Sequence, residues 1–299
     1  MAGSGHARIA VRAFAKINLS LRVLGVRDDG YHDLRTTFQS VALHDTLIFD
    51  ASPGGFRIEC DDPSCPTDSA NLVWRAAEGV WLATGRRGKP RDVRVRIIKR
   101  VPVQSGLGGG SSDAAAALRG LSALWRIDLG PEEQRRLAAA LGADVPFFLC
   151  GGTVLGVDRG DSLFPLEDIP PAWITLVVPD FGIRTVEAYR WWDHEHGKPR
   201  PRLHKATGSL AAFPVHELHN DLEAAVGRHY PEITRIASEL RRRGAYYAGM
   251  SGSGSAVFGL FDSHDVAERA SRALAGRARR SLVTRTVTRT RFRALSRPR

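Results

Sequence analysis

The chain has 299 residues, 43% of them hydrophobic and 25% charged, which is the composition of a soluble globular protein with room for one or two domains. Lys and Arg number 43 against 32 Asp and Glu, a formal net charge of +11, and such an excess suits either nucleic acid or an anionic small substrate. No apolar run reaches the roughly 18 residues of a membrane span. The first dozen residues lack a signal-peptide core, and three cysteines are too few for a disulfide framework, so a cytoplasmic protein is expected.

Residues 8–13 alternate as a short strand and lead into Phe14-Ala15-Lys16-Ile17-Asn18-Leu19-Ser20-Leu21. In an extended run Lys16 and Asn18 share one face, with Ile17, Leu19 and Leu21 on the other. An ammonium is costly to bury unpaired, so Lys16 either snorkels at an edge or has a partner. Arg27-Asp28-Asp29-Gly30 is a turn by composition. It delivers Tyr31 and His32, an aromatic beside a histidine that could stack on and hydrogen-bond a base. Residues 37–49 read as a strand broken at His44-Asp45, Ser52-Pro53-Gly54-Gly55 as a turn, 61–69 as a polar loop and 71–83 as a helix. Cys60 and Cys65 lack the further neighbours that a zinc site needs.

Residues 93–98, Val-Arg-Val-Arg-Ile-Ile, read as a strand. They run into Pro102-Val103-Gln104-Ser105-Gly106-Leu107-Gly108-Gly109-Gly110-Ser111-Ser112-Asp113 and then four alanines. The alanines with Leu118, Leu121, Leu124 and Trp125 predict a helix with one apolar face, and Ser111, Ser112 and Asp113 offer N-cap chemistry for it. A glycine loop opening into a helix N-terminus is suited to phosphate. Glycine lets the backbone approach the ligand, and the first-turn N–H groups with the helix dipole favour negative charge. A flexible Gly/Ser linker is the alternative, but linkers do not usually join a strand to a strong helix. The loop lacks the lysine of a Walker A sequence and the spacing of a dinucleotide fingerprint, which leaves a phosphate cradle of another kind.

Beyond it, Pro131-Glu132-Glu133 starts a helix that stops at Gly142. Asp144 follows, before the apolar run Val145-Pro146-Phe147-Phe148-Leu149, either as a cap or as a carboxylate held near the phosphate loop. Residues 151–157 return as a strand, 161–171 read as a crossing between two lobes, and 174–178 form an apolar strand suited to a sheet centre. A loop over 179–185 precedes a helix from 186 to 192, residues 194–207 read as a long exposed loop, and helices open at Asn220 and Pro231. The second glycine cluster, Gly249-Met250-Ser251-Gly252-Ser253-Gly254-Ser255, leads into a strand over 256–261; it is either a plain hairpin turn or a small-residue turn beside a cleft. A helix over 263–275 precedes a last alternating strand over 282–292.

Three stretches together resemble the motifs of the GHMP kinases, a family that includes galactokinase, homoserine kinase and mevalonate kinase. They are Phe14-Ala15-Lys16-Ile17-Asn18, the loop Gly106-Leu107-Gly108-Gly109-Gly110-Ser111-Ser112, and Ser251-Gly252-Ser253-Gly254. Asp29 to Leu34, Gly142 to Phe148 and Asn220-Asp221-Leu222-Glu223 are similar to the branch that phosphorylates a cytidyl diphosphate of methylerythritol, in the non-mevalonate route to isoprenoid precursors. The resemblance implies an α+β fold of two lobes, 1–165 and 166–299, with the active site in the cleft between them. It also implies ATP with its phosphates on residues 102–112, and Lys16 and Asp144 as the catalytic pair. A carboxylate would take the proton from the attacking hydroxyl, and a nearby lysine would keep that carboxylate ionised. Tyr31 and His32 would hold the cytosine, Thr185 and Tyr189 the other side of the base, Asn18 the methylerythritol, and Ser112 would reach Mg²⁺. Where many members of the family have smaller residues or glycine before Gly106, this chain has Gln104 and Ser105, a difference that touches loop geometry. The competing reading of another class is a nucleic-acid-binding protein using the basic tail over 277–299. Only Phe292 interleaves those arginines with an aromatic, which disfavours it.

Overall fold

Alternation of apolar residues builds two long strands that start the fold. In the computed structural model, which describes residues 8–197, 218–277 and 279–299, β1 (Arg8–Val26) and β2 (His32–Gly55) pair antiparallel along almost their whole length. Register shifts interrupt the pairing between Phe14 and Lys16 and between Asn18 and Ser20. Such bulges re-aim side chains, and they fall on either side of Lys16 and Asn18.

The strand break expected at His44-Asp45 does not occur. Asp45 is fully buried within β2, and its carboxylate accepts hydrogen bonds from the backbone N–H of Arg100 at 2.5 Å and of Val101 at 2.8 Å, and from Lys99 Nζ at 2.6 Å. The turn expected at residues 52–55 is instead the irregular end of β2, with a register shift between Ala51 and Gly55.

The first sheet also takes in β3 (Arg57–Cys60), β4 (Arg91–Ile98), β5 (Thr153–Asp158), β6 (Ser162–Pro165) and the short β8 (His219–Asn220). Its main path runs β3-β4-β2-β1-β8, with β5 on β2 and β6 on β5. Helices α1 (Leu72–Ala83), α2 (Gly109–Trp125) and α3 (Gly130–Leu141) share a core with it, in which Leu47, Phe49 and Val95 meet Val80, Leu118 and Leu121. The second sheet has the order β11-β7-β10-β9, from β7 (Trp173–Pro179), β9 (Tyr247–Met250), β10 (Val257–Phe261) and β11 (Arg279–Arg285). It packs with α5 (Thr185–His196), α6 (Asp221–His229), α7 (Pro231–Arg242) and α8 (His264–Leu274). A third core joins the sheets: Ile17 and Leu19 of β1 lie with Ile174, Leu176 and Phe258. The apolar face of β1 is therefore buried against the second sheet, and the result is the mixed α+β fold that was expected.

Three further local expectations fail. The exposed loop begins later than residue 194, because α5 runs on through His196; residues 198–217 lie outside the described part. The last strand stops at Arg285 and the chain turns into α9 (Arg289–Leu295), with the Thr288 side chain accepting from Arg291 N–H as its cap. Phe292 of α9 is buried against Phe14, ring centroids 5.5 Å apart, and over Gly151, where an added Cβ would come within 2.1 Å of its ring. Ser111, Ser112 and Asp113 do not cap α2. The cap is Gly108 in the left-handed region at φ 72°, and the three residues belong to the first turns of the helix.

Candidate active site

The loop before α2 is shaped by contacts that only glycine permits. A Cβ on Gly106, at φ +77°, would lie 2.1 Å from the Ser251 carbonyl oxygen, and one on Gly108 would lie 2.6 Å from the Phe148 ring. Gly110 has open space above it. The first N–H groups of a helix have no acceptor inside it, so α2 presents donors and a positive dipole end to whatever lies there. What lies there is a cleft of about 540 Å³, bordered by the loop together with Lys16, Asn18, Asp144, Thr185 and Tyr189.

Lys16 is only 3% exposed. Its Nζ donates to Asn18 Oδ1 at 2.6 Å and stands 3.5 Å from Asp144 Oδ2. Asn18 is itself fixed, because its Nδ2 donates to Thr36 Oγ1 at 2.7 Å and that hydroxyl donates to the Ser20 carbonyl at 2.7 Å. The chain from Thr36 to Lys16 leaves the ammonium aimed at Asp144. Asp144 caps nothing: the short α4 (Phe147–Cys150) has Pro146 in the cap position and no side-chain cap. Its side chain is about a third open, 36%, towards the cleft.

The base-binding candidates divide. Tyr189 borders the cleft, and burial, reinforced by the negative charge of Asp144, pushes its phenol above the usual range. His32 stacks on Tyr189 with centroids 4.5 Å apart, and its Nε2 lies 2.8 Å from Asp193 Oδ1. Thr185 Oγ1 lies 3.0 Å from Ser253 Oγ. Tyr31 stands apart: it is 58% exposed and does not border the cleft, and the Arg159 guanidinium covers its ring at 5.3 Å.

The second glycine cluster lies in the turn between β9 and β10, and it is also a wall of the cleft. A Cβ on Gly252 would be 3.2 Å from Lys16 Nζ. Asn220 sets its position by donating from Nδ2 to the carbonyls of Met250 at 2.9 Å and Gly252 at 2.8 Å, while its Oδ1 caps α6. Ser251 Oγ donates to the Gly106 carbonyl at 3.1 Å, joining the two glycine loops.

Ser112 does not reach the cleft. It is 2% exposed and its hydroxyl donates to the Phe14 carbonyl at 2.7 Å, because the helix starts earlier than its sequence suggests and turns this residue inward; Ser111 borders the cleft in its place. Leu107 is likewise buried, its carbonyl accepting from Lys16 N–H at 3.0 Å. Sequence reasoning missed a buried triad. Lys99 Nζ lies 2.6 Å from both Asp45 Oδ2 and Asp113 Oδ2. Burial works against the Lys99 charge, but the two carboxylates outweigh it and hold the ammonium above its ordinary range. Burial pushes Asp113 up to about 8, and its Oδ1 has no hydrogen-bond partner. Lys99 and Asp113 border the same cleft as Cys65, Pro66 and Leu72. The only signal was an unpaired lysine at the end of β4. No group of three His, Cys, Asp or Glu suited to a metal exists among the described residues.

Two family models match the chain, the GHMP kinases N terminal domain over residues 71–152 and the GHMP kinases C terminal over 205–279. The chain is 41% identical to the 4-diphosphocytidyl-2-C-methyl-D-erythritol kinase of Moorella thermoacetica, over 93% of this chain and 99% of that one. It is 40% identical to the kinase of the same name from Gloeobacter violaceus, over 90% of each. Among solved structures, a 4-(cytidine 5'-diphospho)-2C-methyl-D-erythritol kinase matches with a TM-score of 0.72 and 33% identity, covering 93% of this chain and 98% of that chain. The Methanococcus jannaschii mevalonate kinase, at 13% identity, shares the fold with a TM-score of 0.68, covering 96% of this chain and all of that one.

Proposed function

The chain belongs to the GHMP kinases, in the branch of the 4-diphosphocytidyl-2-C-methyl-D-erythritol kinases, and from that premise we propose that it transfers the γ-phosphate of ATP to the 2-hydroxyl of 4-diphosphocytidyl-2-C-methyl-D-erythritol. The observation that carries the site assignment is the Lys16–Asp144 pair, 3.5 Å apart, facing the same cleft as the glycine loop. Phosphoryl transfer asks the protein mainly for position and electrostatics. The loop and the α2 N-terminus cradle the phosphates of ATP along residues 102–111, and Asp144 takes the proton of the attacking hydroxyl. Lys16 favours the ionised carboxylate and offsets charge that develops in the transition state.

Asn18 holds the polyol near this pair. The cytosine lies against Tyr189, whose ring is braced by His32, with Thr185 and Arg159 at its margin. Tyr31 contributes by moving onto the base from its exposed position. The purine of ATP takes the opposite end of the cleft, beside Cys65, Pro66 and Leu72. Mg²⁺ accompanies ATP, neutralising phosphate charge. Among the described residues no three His, Cys, Asp or Glu side chains group to hold a metal, and the Ser112 hydroxyl is committed to the Phe14 carbonyl, so Mg²⁺ would be held mainly by the triphosphate. The lobes divide near residue 165, where the chain leaves the first sheet after β6, and dependence on ATP supports a cytoplasmic reaction.

The test is formation of ADP by the purified protein with ATP, Mg²⁺ and the cytidyl substrate, with mevalonate and homoserine as competitors for the assignment. No turnover with the cytidyl compound, or equal turnover with the two aliphatic alcohols, overturns it.

A further inference from the structure

The kinase chemistry leaves the basic C-terminal segment unused. Helix α9 packs through Phe292 on Phe14 and Gly151, and the C-terminal segment, with residues of α2, α3 and α4, bounds a second cavity of about 710 Å³, away from the glycine loop. Four guanidinium groups border it: Arg119 of α2, Arg135 of α3, and Arg293 and Arg297 of the C-terminal segment. Its acid, Asp161, is already held by Arg159 at 2.6 Å. Arg119 is partly buried and meets no carboxylate among the described residues. Its Nη2 donates to the Phe148 carbonyl at 2.6 Å and its guanidinium lies 5.7 Å from the Phe292 ring centroid. Burial alone acts on its charge and pulls its pKa down to about 10. A cation held this way is costly unless an anion joins it. Apart from Gln134 and Ser296, the walls between the arginines are mostly apolar, including Pro146 and Leu149 of the segment that follows Asp144.

We propose that this cavity binds an amphiphilic phosphate, a mono- or diphosphate ester with a short hydrocarbon tail, its phosphate on Arg119, Arg293 and Arg297 and its tail against Pro146 and Leu149. Arginine is suited to the head, because its planar fork meets phosphate oxygens two at a time. The tail accounts for apolar walls that a site for a bare anion would not need.

The probe is n-butyl diphosphate, titrated calorimetrically into the full-length protein with a non-hydrolysable ATP analogue saturating the glycine loop. One saturable site is expected. The double variant R293Q/R297Q, on exposed positions outside the catalytic cleft, should weaken binding at least tenfold and leave turnover unchanged. A139W, which fills the cavity without altering its charge, should weaken binding by a similar factor, and thermal melts confirm that both variants fold. Absence of saturable binding to the parent protein, or unchanged affinity in both variants, overturns the site. Equal affinity for inorganic pyrophosphate and n-butyl diphosphate overturns the amphiphilic class of ligand.

Discussion

Replacing Asp144 by Asn separates the chemical role of this carboxylate from its structural one. The substitution keeps the shape of the side chain and removes its charge, 3.5 Å from Lys16 Nζ. At an effective dielectric near 20, unit charges at this kind of separation interact by about 4 kcal/mol. Asp144 is 36% exposed, so solvent screens much of that, and Lys16 keeps its hydrogen bond to Asn18 Oδ1 at 2.6 Å. The net cost to stability should therefore be about 1 kcal/mol, a fall in Tm of roughly 2 °C for a chain of this size. Turnover should respond on another scale. Loss of a positioned general base lowers a rate by about 10²–10⁴-fold, which at its midpoint is about 4 kcal/mol on the barrier. Single-turnover quench measurements with saturating ATP would read the chemical step, nucleotide titration would read ATP affinity, and thermal melts would read stability. Near-parental ATP affinity, a small loss in Tm and a collapse of turnover are expected. A variant that keeps more than a tenth of parental turnover would remove Asp144 as the base.

Gly106→Ala should disrupt the loop, because at φ +77° its Cβ would stand 2.1 Å from the Ser251 carbonyl oxygen; ATP affinity should fall by more than tenfold, and a titration showing parental affinity would contradict the loop geometry. Tyr189→Leu should raise KM for the cytidyl substrate about tenfold, in line with the roughly 1–3 kcal/mol of base–aromatic stacking, with KM for ATP unchanged; an equal rise in both would place the base elsewhere. Asp113, pushed up to about 8 in the folded chain against an ordinary value of 3.8, binds a proton in the native state that the unfolded chain has lost. Between about pH 4 and pH 8 its contribution makes stability fall as pH rises, by up to about 1.4 kcal/mol per pH unit. Asp113→Asn should flatten that slope in denaturant titrations run from pH 5 to pH 8, and an unaltered slope would show that the carboxyl is not the group responsible.

The local features legible in the sequence were those with a local cause. The glycine loop and its helix, the helix α1 and the apolar face of β1 each follow from residues within a few positions of one another. Features with a distant cause were not. Asp45 resembled a strand break because its partners, Lys99 and the N–H groups of Arg100 and Val101, lie more than fifty residues away. Ser112 and Asp113 resembled cap residues because nothing nearby announces that Phe14 and Lys99 take their side chains. Helix α9 was hidden by period-two alternation of Thr and Arg; the spacing of Phe292 and Leu295, with Thr288 as a cap, was the signal that could have revealed it. The site followed the same rule. Lys16 and Asp144 are 128 positions apart in the chain; residue types alone left each with two readings, and only the resemblance to the family paired them.

The seam between the two glycine loops has a further meaning for how substrates arrive. Ser251 Oγ to the Gly106 carbonyl, Asn18 N–H to Ser251 Oγ, and Ala256 N–H to the Ser105 carbonyl stitch the second sheet to the first at the floor of the cleft. At about 1 kcal/mol each, and before counting the shared core of Ile17 and Phe258, parting the floor would be a state populated below about one per cent. Ligands therefore enter over a fixed floor. Whatever movement admits them belongs to the rim, where Tyr31, Arg159 and the residues around Cys65 border open solvent, and the overall dimensions of the molecule in solution should barely change when both substrates are bound.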